Sequence, residues 1–215
     1  DPVTIAQKVC SSLHDNVSTS TLDDLTATIC ISMNTVHPDY GILASRISVS
    51  NLHKQLKSLS FKEKTEILFG NNKLNERYYK FVKENIDAIE NEIKYEKDYL
   101  FDFFGFKTLE KSYLYKVNKK IIEQPQDMFM RVSCAIHIGN IEKALETYKY
   151  MSEKYFIHAT PTLYNAGSHR EQFASCFLLT IGDSIESIYE NLYKCAKISK
   201  LAGGIGIDIS SIRSK

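Results

Sequence analysis

Five cysteines, Cys10, Cys30, Cys134, Cys176 and Cys195, are the first candidates for chemistry in the 215-residue chain, and their settings differ. Four of them fall within helical apolar patterns, where a cysteine packs as a small hydrophobe. Cys176 sits instead in a strand-like run, Phe173 to Thr180. It lies beside Ser175 and after a stretch of small polar groups that includes Thr160, Thr162, Asn165 and Ser168. The residues alone leave two readings open for Cys176, packing and chemistry. No two cysteines form a C-x-x-C pair, and five scattered ones are too few for a disulfide scaffold, which points to a reducing, cytosolic setting. The six histidines form no i, i+3 or i, i+4 ligand pair, so no metal site is expected. Nothing around Cys176 supplies a Cys/His nucleophile pair.

Two further patterns carry polar chemistry. Asp183 and Glu186 have D-x-x-E spacing at the start of an apolar-periodic stretch, so Asp183 could cap the helix while Glu186 reaches back. Capping alone explains both, yet a helix start just past a strand end is also where α/β sheets bind ligands. Gly203-Gly204-Ile205-Gly206 follows a helix and precedes a strand, the reverse of a dinucleotide fingerprint. It reads as a helix end feeding a tight turn.

The elements that must position these groups can be placed from periodicity. Ile5, Val9 and Leu13 mark one helix, Leu22, Leu25 and Ile29 a second, and Pro38 starts a third that carries Leu43 and Ile47. Residues 60 to 98 mix both signs of charge, as in Lys62-Glu63-Lys64, with a break at Gly70-Asn71-Asn72, and read as solvated helical faces. The aromatic cluster from Tyr99 to Phe106 reads as a core or interdomain seam. Tyr113 to Ile122 reads as a two-stranded excursion turning at Asn118-Lys119. Two more helices follow, one marked by Met128, Val132 and Ile136 and one running from Ile141 to Tyr155.

From there the character changes, and five of the nine glycines fall between residues 167 and 206. A buried strand over 173–180, a helix over 184–199 with Ile185, Ile188, Tyr189, Leu192, Cys195 and Ala196 on one face, and a strand over 205–209 make a βαβ unit. A parallel sheet needs more strands than two, so the segment reads as the N-terminal piece of a larger α/β protein. A net charge of +1 without a basic block argues against nucleic acid or anionic membrane as partners. No apolar run is long enough to span a bilayer, and the first twenty residues are too polar for a signal peptide.

The ordered motifs His158-Ala-Thr-Pro-Thr-Leu-Tyr-Asn-Ala-Gly167, Ser175-Cys-Phe-Leu-Leu179, Asp183-Ser-Ile-Glu186 and Ser199-Lys-Leu-Ala-Gly-Gly-Ile-Gly206 resemble the large, catalytic subunit of class I ribonucleotide reductase of the eukaryotic type. His37-Pro-Asp-Tyr40, Ser50-Asn-Leu-His-Lys54, Phe104-Gly-Phe-Lys-Thr-Leu-Glu110 and Arg131-Val-Ser133 extend the resemblance over essentially the whole chain. It implies a mostly α architecture, a helical N-terminal domain followed by the first βαβ unit of a ten-stranded α/β barrel. The implied divisions are 1–59, a truncated ATP-cone lacking the family's preceding basic segment, 60–156, a helical domain, and 157–215, the start of the barrel.

The implied activity is reduction of ribonucleoside diphosphates by thiyl-radical chemistry. Cys176 would be a redox-active cysteine that ends in a disulfide with a cysteine beyond the chain, and Thr160 and Ser175 would contact substrate. Asp183, Ser184, Ile185, Lys200 and Arg213 match a specificity-effector site, and Thr19, Asp23 and Lys54 match an ATP/dATP activity site. Implied partners are a small radical-generating subunit holding the metal-radical cofactor, a second large subunit, nucleotide substrates, the effectors ATP, dATP and dTTP, and thioredoxin or glutaredoxin as reductant. The family's other catalytic cysteines and radical-transfer tyrosines do not occur among these motifs, so the segment alone is expected not to catalyse. A non-catalytic helical nucleotide-sensing or protein-interaction module is the rival reading.

Overall fold

The computed structural model describes residues 1–200 and 203–214; Leu201 and Ala202 of the glycine-rich motif, and Lys215, lie outside them. Three helices open the chain: α1 (Pro2–Ser11), α2 (Thr19–Ser32) and α3 (Asp39–Leu56). Asp1 caps α1 and Ser18 caps α2, each through its side-chain oxygen. α3 begins directly after Pro38 and buries Ala44, Ser45, Ser48, Val49, Leu52 and Leu56. The face marked by Leu43 and Ile47 is therefore not its core face: Leu43 is exposed, and small residues let α2 and α7 approach instead. Leu13 likewise lies beyond the end of α1 and is exposed.

Next come α4 (Phe61–Gly70), α5 (Glu76–Glu84), α6 (Ile86–Glu92), a 3-10 turn (Tyr95–Leu100) and α7 (Phe103–Ser112). Ser60 and Glu63 form a capping box at α4, so part of the charged run holds a helix start. Lys64, read from sequence as solvated, is 2% exposed. Its Nζ donates to Asp127 Oδ2 at 2.8 Å and Gln124 Oε1 at 2.6 Å, while the Tyr95 hydroxyl donates to the second Asp127 oxygen at 2.6 Å. A buried ammonium survives only where its donors meet acceptors, and here they do. The aromatic cluster is split: Phe106 is fully buried and Phe101 packs on the core, whereas Phe104 is 80% exposed.

Strands β1 (Lys116–Val117) and β2 (Lys120–Ile121) pair antiparallel around Asn118 and Lys119, both at positive φ, the geometry of a two-residue hairpin turn. α8 (Pro125–Ile136) is buried over almost its whole circumference and forms the centre of the core. α9 (Ile141–Ser152) packs on it through Ala144, Tyr148 and Met151 and ends before the exposed Tyr155. A short helix, α10 (Thr160–Asn165), then leads to β3 (Cys176–Thr180), α11 (Ile185–Lys200) and β4 (Gly204–Asp208). β3 and β4 pair in parallel with Cys176 opposite Gly204, the expected βαβ unit.

This unit is less buried than its apolar sequence suggests. β3 starts at Cys176 rather than Phe173, and Leu178 is 89% exposed. α11 turns Ser187, Asn191 and Ile198 inward, leaving Ile185, Tyr189 and Leu192 open to solvent. Asn191 fixes that orientation, since its side-chain amide donates to the Thr180 carbonyl at 3.3 Å. The cap of α11 is Ser184, not Asp183: Ser184 Oγ accepts the Ser187 N–H at 3.1 Å, and Ser187 Oγ accepts the Gly182 N–H at 2.8 Å. The helix starts one residue later than the D-x-x-E reading requires, so Glu186 falls one position short of the box partner. Among the described residues, no helix is long and apolar enough to cross a membrane.

Two outcomes follow for chemical denaturation of the chain. Lys64→Met should cost about 3–5 kcal/mol by stranding Asp127, whereas Lys143→Met, which breaks an exposed pair with Glu146, should stay within about 0.5 kcal/mol. Ser184→Ala should cost about 1 kcal/mol as a lost cap, with Asp183→Ala costing less.

Candidate functional site

The best-positioned chemistry lies where α10 and the segment before β3 meet the helical core. Arg131, on α8, is completely enclosed, and its guanidinium has five acceptors to find. It forks onto the Glu123 carboxylate through Nε and through Nη2 at 3.1 Å, and donates to the carbonyls of Ala166 at 2.7 Å and Leu163 at 3.3 Å. The Tyr115 ring stacks on it at 3.8 Å. Burial alone would lower the Arg131 pKa, but the Glu123 carboxylate beside it holds it above its ordinary value. Burial also raises the Tyr78 and Tyr115 hydroxyls, so both stay neutral donors.

One buried cation thus secures the C-terminal turn of α10. Gly167 follows with φ +81°, and a side chain there would press on the Tyr78 ring at 3.2 Å, so only glycine lets the chain pass. The segment leading into the hairpin holds α10 along its length: the Tyr113 hydroxyl lies 2.9 Å from Thr160 Oγ1 at its start, and near its end Tyr113 stacks on Tyr164 and the Tyr115 hydroxyl donates to the Tyr164 carbonyl. Beyond α10, Thr162 Oγ1 donates to the Phe173 carbonyl at 3.1 Å and the Asn165 amide to that of Gln172 at 2.9 Å, tying the helix to the approach to β3. His158, just before α10, is held neutral by burial, which lowers its pKa.

Cys176 opens β3 with an exposed, unbridged thiol. Ser175 Oγ donates to its sulfur at 3.6 Å, and the Ser175 carbonyl accepts the Gly204 N–H at 2.8 Å. A Cβ on Gly204 would stand 3.9 Å from the Cys176 sulfur and 3.3 Å from the Ser175 carbonyl, and one on Gly203 would meet Phe177 and Ile198 at under 3 Å. The glycine motif therefore clears the space beside the cysteine strand. Cys30 and Cys134 are buried and packed, with Cys134 pushed up to about 12, as expected of inert thiols. Cys10, expected to pack, is exposed instead because the face of α1 that it occupies is open.

The other candidate groups are brought together in part. Asp183 Oδ2 meets Arg213 Nε at 3.2 Å, so Asp183, Ser184, Ile185 and Arg213 share the N-terminal end of α11. Lys200 lies at the opposite end of that helix, about 22 Å away at about 1.5 Å per residue, in a cationic hollow with Arg170 and Lys197. Asp23 and Lys54 form a 2.8 Å ion pair across α2 and α3, beside Arg46, Ser50 and Tyr99. Thr19 stands one helical turn before Asp23 at the start of α2. Among the described residues no cluster of His, Cys, Asp or Glu could hold a metal ion.

Sequence reasoning did not single out Tyr113, Tyr115, Arg131 or Glu123 as a unit. The available signal was a lone arginine inside the apolar run Met128-Phe-Met-Arg131-Val, which must find a carboxylate once the helix is buried.

Residues 99–171 match the all-alpha domain of ribonucleotide reductase and residues 174–215 match its barrel domain, together more than half of the chain. The whole chain is 51% identical to the ribonucleoside-diphosphate reductase large subunit of Vaccinia virus, covering 29% of that protein. It is also 51% identical to the large subunit of Dictyostelium discoideum, covering 26% of it, and 49% identical to the large chain of Schizosaccharomyces pombe, covering 28%. The chain thus spans under a third of the length of the curated relatives it matches. With an all-α domain match followed by a barrel-domain match, and about half of its residues identical to these large subunits along its whole length, the chain belongs to the ribonucleotide reductase large-subunit family.

Proposed function

We propose that the chain forms part of a reductase that converts ribonucleoside diphosphates to deoxyribonucleoside diphosphates, supplying DNA precursors in the cytoplasm. The observation that carries this reading is the Cys176 thiol, exposed at the head of β3 with only glycine across the strand pair. In the proposed reaction Cys176 and a cysteine outside these 215 residues each give up one hydrogen, and an S–S bond forms between them. The two electrons and two protons replace the ribose C2′–O bond with C2′–H, and the hydroxyl leaves as water. Thioredoxin or glutaredoxin restores the thiols by exchange. The initiating oxidising equivalent comes from the metal-radical cofactor of a small partner subunit.

Thr160 and Ser175 supply hydroxyl donors to the substrate diphosphate at this end of the site. Asp183, Ser184, Ile185 and Arg213 form one part of a triphosphate specificity site, and Lys200, remote from them within one chain, serves it from a second large subunit. That assignment gives the exposed apolar face of α11 its partner, a homodimer interface. Asp23, Lys54 and Thr19 form part of an activity site reading ATP against dATP, the cation on α3 answering the triphosphate charge.

Cys176→Ser, introduced into the full-length large subunit and assayed with its small subunit and thioredoxin, should abolish multiple turnover while dTTP or dATP still binds with wild-type affinity. Unchanged turnover would refute the redox role.

A further inference from the structure

The hydrogen bond between Tyr113 and Thr160 has a direction that the chemistry of a bound diphosphate dictates. The two hydroxyls are 2.9 Å apart and either can donate. Phosphate oxygens at neutral pH only accept, so the Thr160 hydroxyl can bind one only by giving it its single proton. Thr160 must then accept from its other neighbour, and Tyr113 is placed to donate. A hydroxyl that accepts one hydrogen bond becomes a stronger donor for the next.

Tyr113 is held for this task on two sides. Its ring stacks on Tyr164, one helical turn beyond Thr160 on α10, with ring centroids 4.9 Å apart. The hairpin it leads into is fixed to the core, where the Tyr115 N–H donates to Glu123 at 3.0 Å and Glu123 in turn grips Arg131. We infer that Tyr113 is a positioning residue for substrate binding, donating its hydroxyl proton to Thr160 so that the Thr160 proton points at the diphosphate. This rests on the reading of Thr160 as a substrate contact. In its absence the Thr160 hydroxyl would be free to rotate toward other acceptors, and substrate would bind less tightly with the reacting centre untouched.

The test is a cycle of variants in the full-length enzyme with its small subunit: Tyr113→Phe, Thr160→Val, Thr160→Ser and the Tyr113→Phe/Thr160→Val double. Tyr113→Phe keeps the stacked ring, so thermal stability and effector affinity should match wild type. KM for the ribonucleoside diphosphate should rise about 2- to 10-fold, the worth of one hydrogen bond, with kcat within about 2-fold. Thr160→Val should raise KM at least as much, Thr160→Ser should restore it, and the double variant should be no worse than Thr160→Val alone. If Thr160→Val raises KM and Tyr113→Phe does not, or if the two effects multiply in the double variant, the positioning role is overturned while the Thr160 contact stands. If Thr160→Val leaves KM unchanged, the substrate-contact reading itself fails.

Discussion

A guanidinium buried to 1% exposure is the constraint around which this chain is arranged. Arg131 cannot lose its proton and cannot reach water, so every donor needs a protein acceptor. Glu123 supplies the charge and lies before α8, next to the hairpin. The Leu163 and Ala166 carbonyls supply the rest and belong to α10. The hairpin end, α8 and the more distant α10 are therefore bound to one point, and the spacing of the proposed site follows from it. The Lys64–Asp127–Tyr95 network does the same for α4, the 3-10 turn and the start of α8. A neighbouring pair, His53 and Asp98 at 2.8 Å, ties α3 to that turn, and burial raises the Asp98 pKa despite the imidazole.

These buried pairs explain which parts of the structure could be read in the sequence. Apolar periodicity located α8 and α9 because Met128, Val132, Ala144 and Met151 mark their packed faces, and the positive-φ turn at Asn118-Lys119 was legible from residue type. Lys64 was misread because a charge in a charged run carries no mark of burial; only its acceptors, some 60 residues away, reveal it. The buried face of α3 was missed because small and polar residues line it. On α11 the apolar stripe was identified correctly as a face but points outward, since Asn191 and Ser187 bond to the strand side. Periodicity finds an amphipathic face without saying which partner covers it. Of the candidate site, the motif residues were legible by resemblance, whereas the Tyr113, Tyr115 and Arg131 clamp was not, because it exists only in the folded contacts.

Burial is nearly complete at α8 and low in the βαβ unit. α10 lies between them: Arg131 bonds its C-terminal turn to the core, and Thr162 and Asn165 bond it to the Phe173 and Gln172 carbonyls ahead of β3. The Cys176 thiol is exposed on a two-stranded parallel pair, and its register opposite Gly204 defines its position. A rigid support behind an open reacting group is what positioned chemistry requires.

The Arg131 charge, rather than general core packing, fixes α10. Amide hydrogen exchange read by mass spectrometry on Arg131→Met tests it directly, because the variant keeps the apolar bulk and removes the donors. Protection should collapse across residues 160–174 while α4, the centre of α8 and α9 keep far more of theirs. Unchanged protection over α10, or a uniform loss across the whole chain, would contradict it.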